Sequence, residues 1–360
     1  MDAALSPAPI SLVALTDLMF RGGTVAILLL LIIHLTRLPR SPVTIAGLLF
    51  CGTGIIEAMI NIPASTVAME LPAWLAALLQ QFHFVALWWF ALALFDDHYR
   101  WRVATLWPLA VVLPLVAGFA LGGERIGAAF GGALALFDAA LLVLLIRLAL
   151  TDSASDLVPA RRTFRRALSF TVPPFTLLVI VLELVDIGGA AAELLCAGYA
   201  AVFFLLAVGF GFWLTSIKHA MVLRPTGTAR TPADAELAAA DRLELESVVA
   251  AMESGLYLEP GLTIGGLGER LEIPEHRLRR LINKGLGYRN FSAFVNDYRI
   301  NEAKRRLADP QEAREQIVQH AFRLGYASLA PFNRAFRERV GISPREFREQ
   351  ALARGPLAAE

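Results

Sequence analysis

The sequence predicts an all-α protein in two parts, a seven-helix transmembrane bundle followed by a helical domain that lives in water. Three observations carry this expectation. The 360 residues are 56% hydrophobic with a mean hydropathy of +0.55, too apolar for a soluble chain of this size. Almost all of that character lies before residue 218, and the remainder is rich in Arg and Glu. The apolar part also breaks into runs of roughly 20 residues, the length of helix that crosses a hydrocarbon layer.

Seven such runs fall at 12–36, 42–62, 72–95, 103–121, 126–149, 167–188 and 191–215. Turn signals separate them, among them Leu38-Pro39, Gly122-Gly123 and Gly188-Gly189. The first run carries Asp17 and Arg21, which stand four apart on a helix and are placed to pair near one interface. Basic residues collect in alternate loops: Arg37 and Arg40, then Arg100 and Arg102, then Arg161, Arg162, Arg165 and Arg166, and finally Lys218, Arg224 and Arg230. Positive charge favours the cytoplasmic side. The N-terminus is therefore expected outside and the C-terminus inside, which needs an odd number of spans. The N-terminus lacks the basic-then-apolar order and cleavage site of a signal peptide, so the first run is expected to stay as a span.

Polar residues interrupt these runs: His34, Glu57, Asn61, Gln80, Gln81, His83, Asp138 and Glu183. An ionised group near the bilayer centre costs at least about 2.5 kcal/mol, so such groups face a partner or a cavity. Glu57, His83, Asp138 and Glu183 are the candidate intramembrane sensing residues. The plainer reading is hydrogen bonding between helices. The aromatic cluster Phe82, Phe84, Trp88, Trp89 and Phe90 reads as lipid-facing or packing surface. No Lys lies in any span, which excludes a retinal Schiff base. The two cysteines, Cys51 and Cys196, show neither disulfide nor metal spacing and read as small buried hydrophobes. No metal or cofactor is expected.

After 1–217, residues 218–240 read as a linker with Pro225, Gly227 and Pro232, reaching roughly 25 Å if flexible. The next domain, 241–350, opens with a helix over 241–254. A second follows over 263–271, with Thr263 as cap. A third runs over 274–285, with Pro274 at its first position and Leu278, Leu281 and Ile282 facing a core. Phe291, Phe294, Val295, Tyr298, Ala303 and Leu307 mark one long helix over 291–308, about 27 Å in length. Ile317, Val318, Ala321 and Phe322 then recur at helical spacing before the stop signal Gly325. Ser328 caps a further helix with Pro331 in its first turn and Phe332 and Phe336 on its inner side. Gly341 ends it, and Ser343-Pro344-Arg345-Glu346 has the form of a capping box. Residues 351–360 are a tail. From Arg270 to Arg306 ten basic residues face four acidic ones, a local charge of +6 that suits phosphates. Helix, glycine turn and second helix with a polar outer face is the helix-turn-helix plan, whose second helix enters the DNA major groove.

The pattern Ala321, Gly325-Tyr326, Ser328, Phe332, Arg334, Phe336, Gly341, Ser343-Pro344 and Phe347-Arg348 resembles the C-terminal signature of AraC-type transcription regulators. The resemblance covers about 110 residues, roughly 241–350. It implies two helix-turn-helix units joined by a long helix, a rod short enough to set two recognition helices into successive major grooves about 34 Å apart. It also implies base reading by His276, Arg279 and Arg280 in the first unit and by Leu329, Ala330, Asn333 and Arg334 in the second. Asn283 and Arg337 stand beside them as further DNA-binding candidates. Arg can grip guanine with two hydrogen bonds, Asn can do so with adenine, and Leu329 or Ala330 could touch a thymine methyl. The bland reading for each arginine is a phosphate contact or a surface charge.

Two departures stand out. Gly265, Gly266 and Gly268 fall within an expected helix, and Glu272 occupies a turn position where the family often has Gly. The first unit is therefore expected to be loosely folded without DNA. The family's soluble sensing domain is replaced by the spans, so its ligand chemistry does not transfer. The reading that follows is a bacterial, inner-membrane, one-component transcription regulator that is not an enzyme. Its candidate partners are promoter DNA, the lipid bilayer, RNA polymerase, a second copy of itself and an unidentified ligand. One rival is a transporter or receptor whose helical tail is an interaction module. Another is an intramembrane enzyme using Glu57, Asp138 or His83, which would require those residues to converge on one cavity. His98 with Asp96 and Asp97 reads as a loop end.

Overall fold

The structure, a computed structural model, describes residues 11–60, 62, 71–96, 99–151, 154–184, 190–216 and 239–353. Asn61, Asp97, His98, the Gly188-Gly189 turn, the 217–238 linker and the 354–360 tail lie outside the described residues. So does the side chain of Glu183. Fourteen α-helices and no named strand are found among the described residues. The chain divides into two compact units, one of residues 1–153 and 160–224, the other of 154–159 and 225–360.

The first unit contains α1 (Leu12–Thr36), α2 (Pro42–Ile60), α3 (Ala73–Phe95), α4 (Trp107–Leu121), α5 (Gly123–Leu150), α6 (Pro159–Leu184) and α7 (Ala190–Ser216). Six stretches among the described residues are long and apolar enough to cross a membrane: α1, α2, α3, Val103–Leu121 including α4 and the 3-10 turn before it, α5, and Ala191–Thr215 within α7. The α6 helix carries Arg161, Arg162, Arg165 and Arg166 in its opening turns and becomes apolar only after them. In sequence order the helices pack as neighbours: α1 on α2 and α7, α2 on α3, and α3 on α4 and α5. Apolar residues point outward too, as in Leu30, Leu136 and Phe212, which suits a lipid solvent.

Polar groups inside this unit are paired across helices. Arg21 Nε donates to Asp17 at 2.7 Å and Arg21 Nη1 to the Ala58 carbonyl at 2.9 Å. The expected i,i+4 pair is thus also a tie between α1 and α2. Arg161 donates to the Phe95 carbonyl at 2.7 Å, and Arg165 to the Leu148 and Thr151 carbonyls at 2.9 and 2.8 Å. These two arginines of the first turns of α6 are buried, and they satisfy carbonyls at the C-terminal ends of α3 and α5, which no helical N–H can reach. Trp89 and Phe90 are core residues, with Trp89 Nε1 donating to the Thr105 carbonyl at 2.8 Å. Cys51 is buried as expected, whereas Cys196 is only half-buried.

The second unit contains α8 (Ala239–Glu253), α9 (Ile264–Leu271), α10 (Glu275–Leu286), α11 (Phe291–Leu307), α12 (Ile317–Arg323), α13 (Leu329–Val340) and α14 (Pro344–Ala353). Caps place the ends. The Thr263 hydroxyl accepts from Gly266 N at 3.1 Å, and the Asn290 side chain accepts from Ser292 N and Ala293 N. Ser343 and Glu346 exchange both bonds of a capping box, which also holds the Glu346 carboxyl below its usual range. Pro274 proves to be the N-cap of α10 rather than its first helical residue. Ser328 caps α13 through backbone geometry alone.

Two separate cores result. Leu267, Leu278, Leu281, Ile282, Phe291, Phe294 and Val295 belong to the first, and Ile300, Ala303, Leu307, Ala321, Phe332 and Phe336 to the second. The N-terminal half of α11 serves one and the C-terminal half the other. Phe322, expected to face inward, is 52% exposed. The short α12 has room for only one buried stripe, and Ala321 and His320 take it.

The three glycines of α9 differ in what they are for. A Cβ on Gly268 would stand 2.7 Å from the Ile273 carbonyl oxygen, while one on Gly265 would meet nothing closer than 3.6 Å. Gly268 permits the tight return of the chain into α10, whereas Gly265 only weakens the helix. Gly265→Ala is expected to stabilise the first core by about 0.5–1 kcal/mol. Gly268→Ala is expected to destabilise it. Hydrogen exchange of the 264–271 amides checks both signs.

Candidate nucleic-acid interface

Each core supports a helix-turn-helix. In the first, α9 turns into α10 through Glu272, whose φ of 54° makes it the one non-glycine in the left-handed region among the described residues. Such a conformation costs a side-chain-bearing residue roughly 1–2 kcal/mol. In the second, α12 turns into α13 through Gly325 at φ 79°. A Cβ there would clash with the Leu258 carbonyl at 2.6 Å, so the turn admits only glycine. Tyr326 follows, with its ring buried and its hydroxyl donating to Asn296 of α11 at 2.9 Å. Burial pushes the Tyr326 hydroxyl up to about 12. The second turn is thus anchored on α11 through Asn296 and packed against the Leu258 carbonyl of the 256–258 turn.

The second recognition helix, α13, leaves Ala330, Arg334 and Arg337 exposed, with Asn333 half-buried beside them. Leu329 packs partly against the second core. The arrangement presents two guanidinium groups one turn apart with a methyl at the helix start, a set able to read guanine edges and a thymine methyl.

The first recognition helix is more committed to the protein itself. His276 is exposed. Arg280 is 46% exposed and donates to Asp241 of α8 at 2.8 and 3.0 Å. Arg277 joins the same carboxylate at 3.2 Å and Glu244 at 3.1 Å. Asn283 donates to the Tyr288 carbonyl at 2.8 Å and so tethers the end of α10. Arg279 is only 6% exposed. Its guanidinium donates to Glu275 and to the carbonyls of Asp156 and Ala154 at 2.8 and 2.7 Å. Of the three base readers expected in this unit, His276 stands free on the surface, Arg280 is tied by one exchangeable ion pair, and Arg279 has its donors occupied.

Sequence reasoning missed the residues that hold the two units in register. Arg299, buried in the middle of α11, donates to the Tyr257 and Glu259 carbonyls at 2.7 and 2.8 Å and lies 5.1 Å from the Tyr326 ring. Burial pushes its pKa down. Arg339 binds Asp297 and the Ala293 carbonyl, closing α13 onto α11. On the outer side of α11, Arg305 and Arg306 hold the Glu302 carboxyl down at about 2.

One group of three metal-capable side chains occurs among the described residues, Glu312, Glu315 and His320. The His320 ring is fully buried, with Nδ1 3.4 Å from Glu312 and Nε2 3.7 Å from Glu315, while Arg323 lies 2.8 Å from Glu315. The two ring nitrogens point to different carboxylates, and a guanidinium already offsets their charge. That suits an imidazole bridging two carboxylates better than a divalent ion. Burial lowers the His320 pKa, and the two carboxylates oppose that shift.

The candidate intramembrane residues are likewise paired separately. Glu57 accepts from the Tyr199 hydroxyl at 2.8 Å, Asp138 from Gln81 at 2.8 Å, and His83 Nδ1 lies 3.2 Å from the Thr53 hydroxyl. All three are buried, and in these contacts each meets a different residue.

Residues 267–350 match the family model described as a helix-turn-helix domain, a stretch that runs from within α9 to within α14. Neither the curated proteins nor the solved structures contain a match to the chain.

Proposed function

We propose, from the premise that residues 267–350 are an AraC-type helix-turn-helix domain, that this protein is a membrane-embedded one-component transcription regulator. In this reading seven spans anchor and sense, the N-terminus lies outside, and the C-terminal domain reads promoter DNA in the cytoplasm. The observation that carries it is the shared rod. One 17-residue helix, α11, builds both cores and so fixes two helix-turn-helix units at its two ends. At about 26 Å it is of a length to serve successive major grooves. A tail acting only as an interaction module would need no such pairing. The alternation of arginine-rich loops supports the orientation.

The proposed base readers are Ala330, Asn333 and Arg334 on α13, with Arg337 as an additional contact, and His276, Arg279 and Arg280 on α10. A second copy and RNA polymerase are the protein partners this reading includes. The signal enters through the buried polar pairs of Glu57, His83 and Asp138.

The test is genome-wide crosslinking and immunoprecipitation of the tagged full-length protein, with membrane fractionation alongside. Discrete peaks are expected. They should fall by about 10- to 100-fold in occupancy affinity for Arg334→Ala, since one bidentate base contact contributes about 1–3 kcal/mol. An absence of peaks across growth conditions, with intact protein in the membrane fraction, would transfer the reading to a transporter or receptor with a helical interaction module.

A further inference from the structure

Residues 154–158 lie in the chain between α5 and α6, yet they pack as part of the C-terminal unit. Four features make this a built site. Asp156 forms an antiparallel bridge with Asn290. On either side of it, Leu157 N donates to the Arg289 carbonyl and Phe291 N to the Ser155 carbonyl, both at 2.8 Å. The Leu157 side chain is 1% exposed within the first core, alongside Leu278, Ile282 and Phe291. Finally, the Arg279 guanidinium grips the Ala154 and Asp156 carbonyls from the recognition helix. Val158 N donates to the Asp156 carboxylate at 3.0 Å, which turns the chain out of the site. Main-chain pairing supplies affinity and a side-chain socket supplies selectivity, the logic of extended-peptide recognition.

We infer that the first helix-turn-helix unit carries a peptide-docking site, built by Arg279, the 289–291 strand-like stretch and the Leu157 socket, whose occupant is this chain's own Ala154–Leu157. Occupancy and base reading by Arg279 exclude each other, because the same guanidinium donors serve both. The occupant is tied at one end to Leu150, where α5 stops, and at the other to Pro159, where α6 starts. Eight residues, 151–158, span that gap, at most about 26 Å of extended chain. A shift of α5 against α6 therefore bears directly on whether Arg279 is free. A ligand can move such an equilibrium only by binding the two states differently, and the docked and undocked segment supply two states. The regulatory half of this inference rests on the DNA-reading function proposed above, while the docking half does not.

The test uses the full-length protein in nanodiscs and two readouts. The first is hydrogen exchange at the Phe291 amide, whose acceptor is Ser155. Leu157→Asp is expected to lower its protection by at least about tenfold while the Leu281 amide in α10 keeps its protection, showing the unit still folded. A synthetic peptide of residues 154–159 added in trans should restore protection. Unchanged protection of Phe291 in the variant, or loss at Leu281 that the peptide does not repair, would overturn the docking site. The second readout is affinity for a promoter fragment recovered by immunoprecipitation. Leu157→Asp is expected to bind about tenfold tighter. Arg279→Ala should weaken binding more in that background than in the wild type, where the same guanidinium is engaged by the Ala154 and Asp156 carbonyls. Equal affinities in all four proteins would overturn the exclusion. If no fragment binds any of them while Phe291 behaves as expected, the DNA-reading function fails and the docking site stands.

Discussion

Phe336→Ala is expected to melt the second helix-turn-helix unit while leaving the first intact. Phe336 is fully buried and its ring sits 5.7 Å from Phe332 and 5.5 Å from Phe347, so it joins α13 to α14 and both to α11. Truncating a buried phenylalanine to alanine costs about 3–5 kcal/mol, because the lost transfer energy is joined by the cavity left behind. The second core is small, with nine buried hydrophobics, and cannot absorb that loss. Hydrogen exchange should show the α12 and α13 amides losing protection while those of Leu281 and Ile282 in α10 hold. Phe336→Leu should cost less than about 1.5 kcal/mol. Equal loss in both units would mean that the two cores unfold as one, and the division of α11 between them would be wrong.

Arg299→Met is expected to cost about 1–3 kcal/mol, from two half-buried carbonyls left without a donor. Methionine keeps most of the stem that packs against the turn, so the loss isolates the guanidinium. Its two bonds hold the 257–259 turn, and its plane backs the Tyr326 ring beside Gly325. Arg299→Lys should behave nearly as poorly, since one ammonium cannot present two fixed N–H directions. The amides of Leu258 and Glu259 report the damage by exchange, and binding to a two-site DNA fragment reports its consequence. If Arg299→Lys matched the wild type in both, the forked geometry would not be what holds the turn.

Much of the C-terminal domain was legible in the chain because its signals are local. Thr263 and the Ser343–Glu346 box mark helix ends through bonds spanning three residues. Phe291, Phe294, Ala303 and Leu307 repeat at the helical period because one face of α11 is buried along its whole length. Phe322 shows the limit of this reasoning. Its spacing fits the buried stripe, yet α12 has only seven residues and one narrow contact face, so periodicity alone did not say which edge of the stripe turned outward.

The sequence by itself determined the all-α class, the apolar helices, the two helix-turn-helix units and the rod between them, because hydropathy period, caps and turn glycines act over a few residues. Only the tertiary structure decided which cations are available. Arg334 and Arg337 stay exposed, whereas Arg299 ties turns some 40 residues away and Arg279 grips carbonyls 123 and 125 residues earlier in the chain. Nothing in the letters around Arg279 separates it from Arg280. A guanidinium goes where unpaired carbonyls lie buried, and the 154–158 segment brings two of them to α10 by folding back into the C-terminal unit, a pairing over a sequence distance at which no local pattern exists.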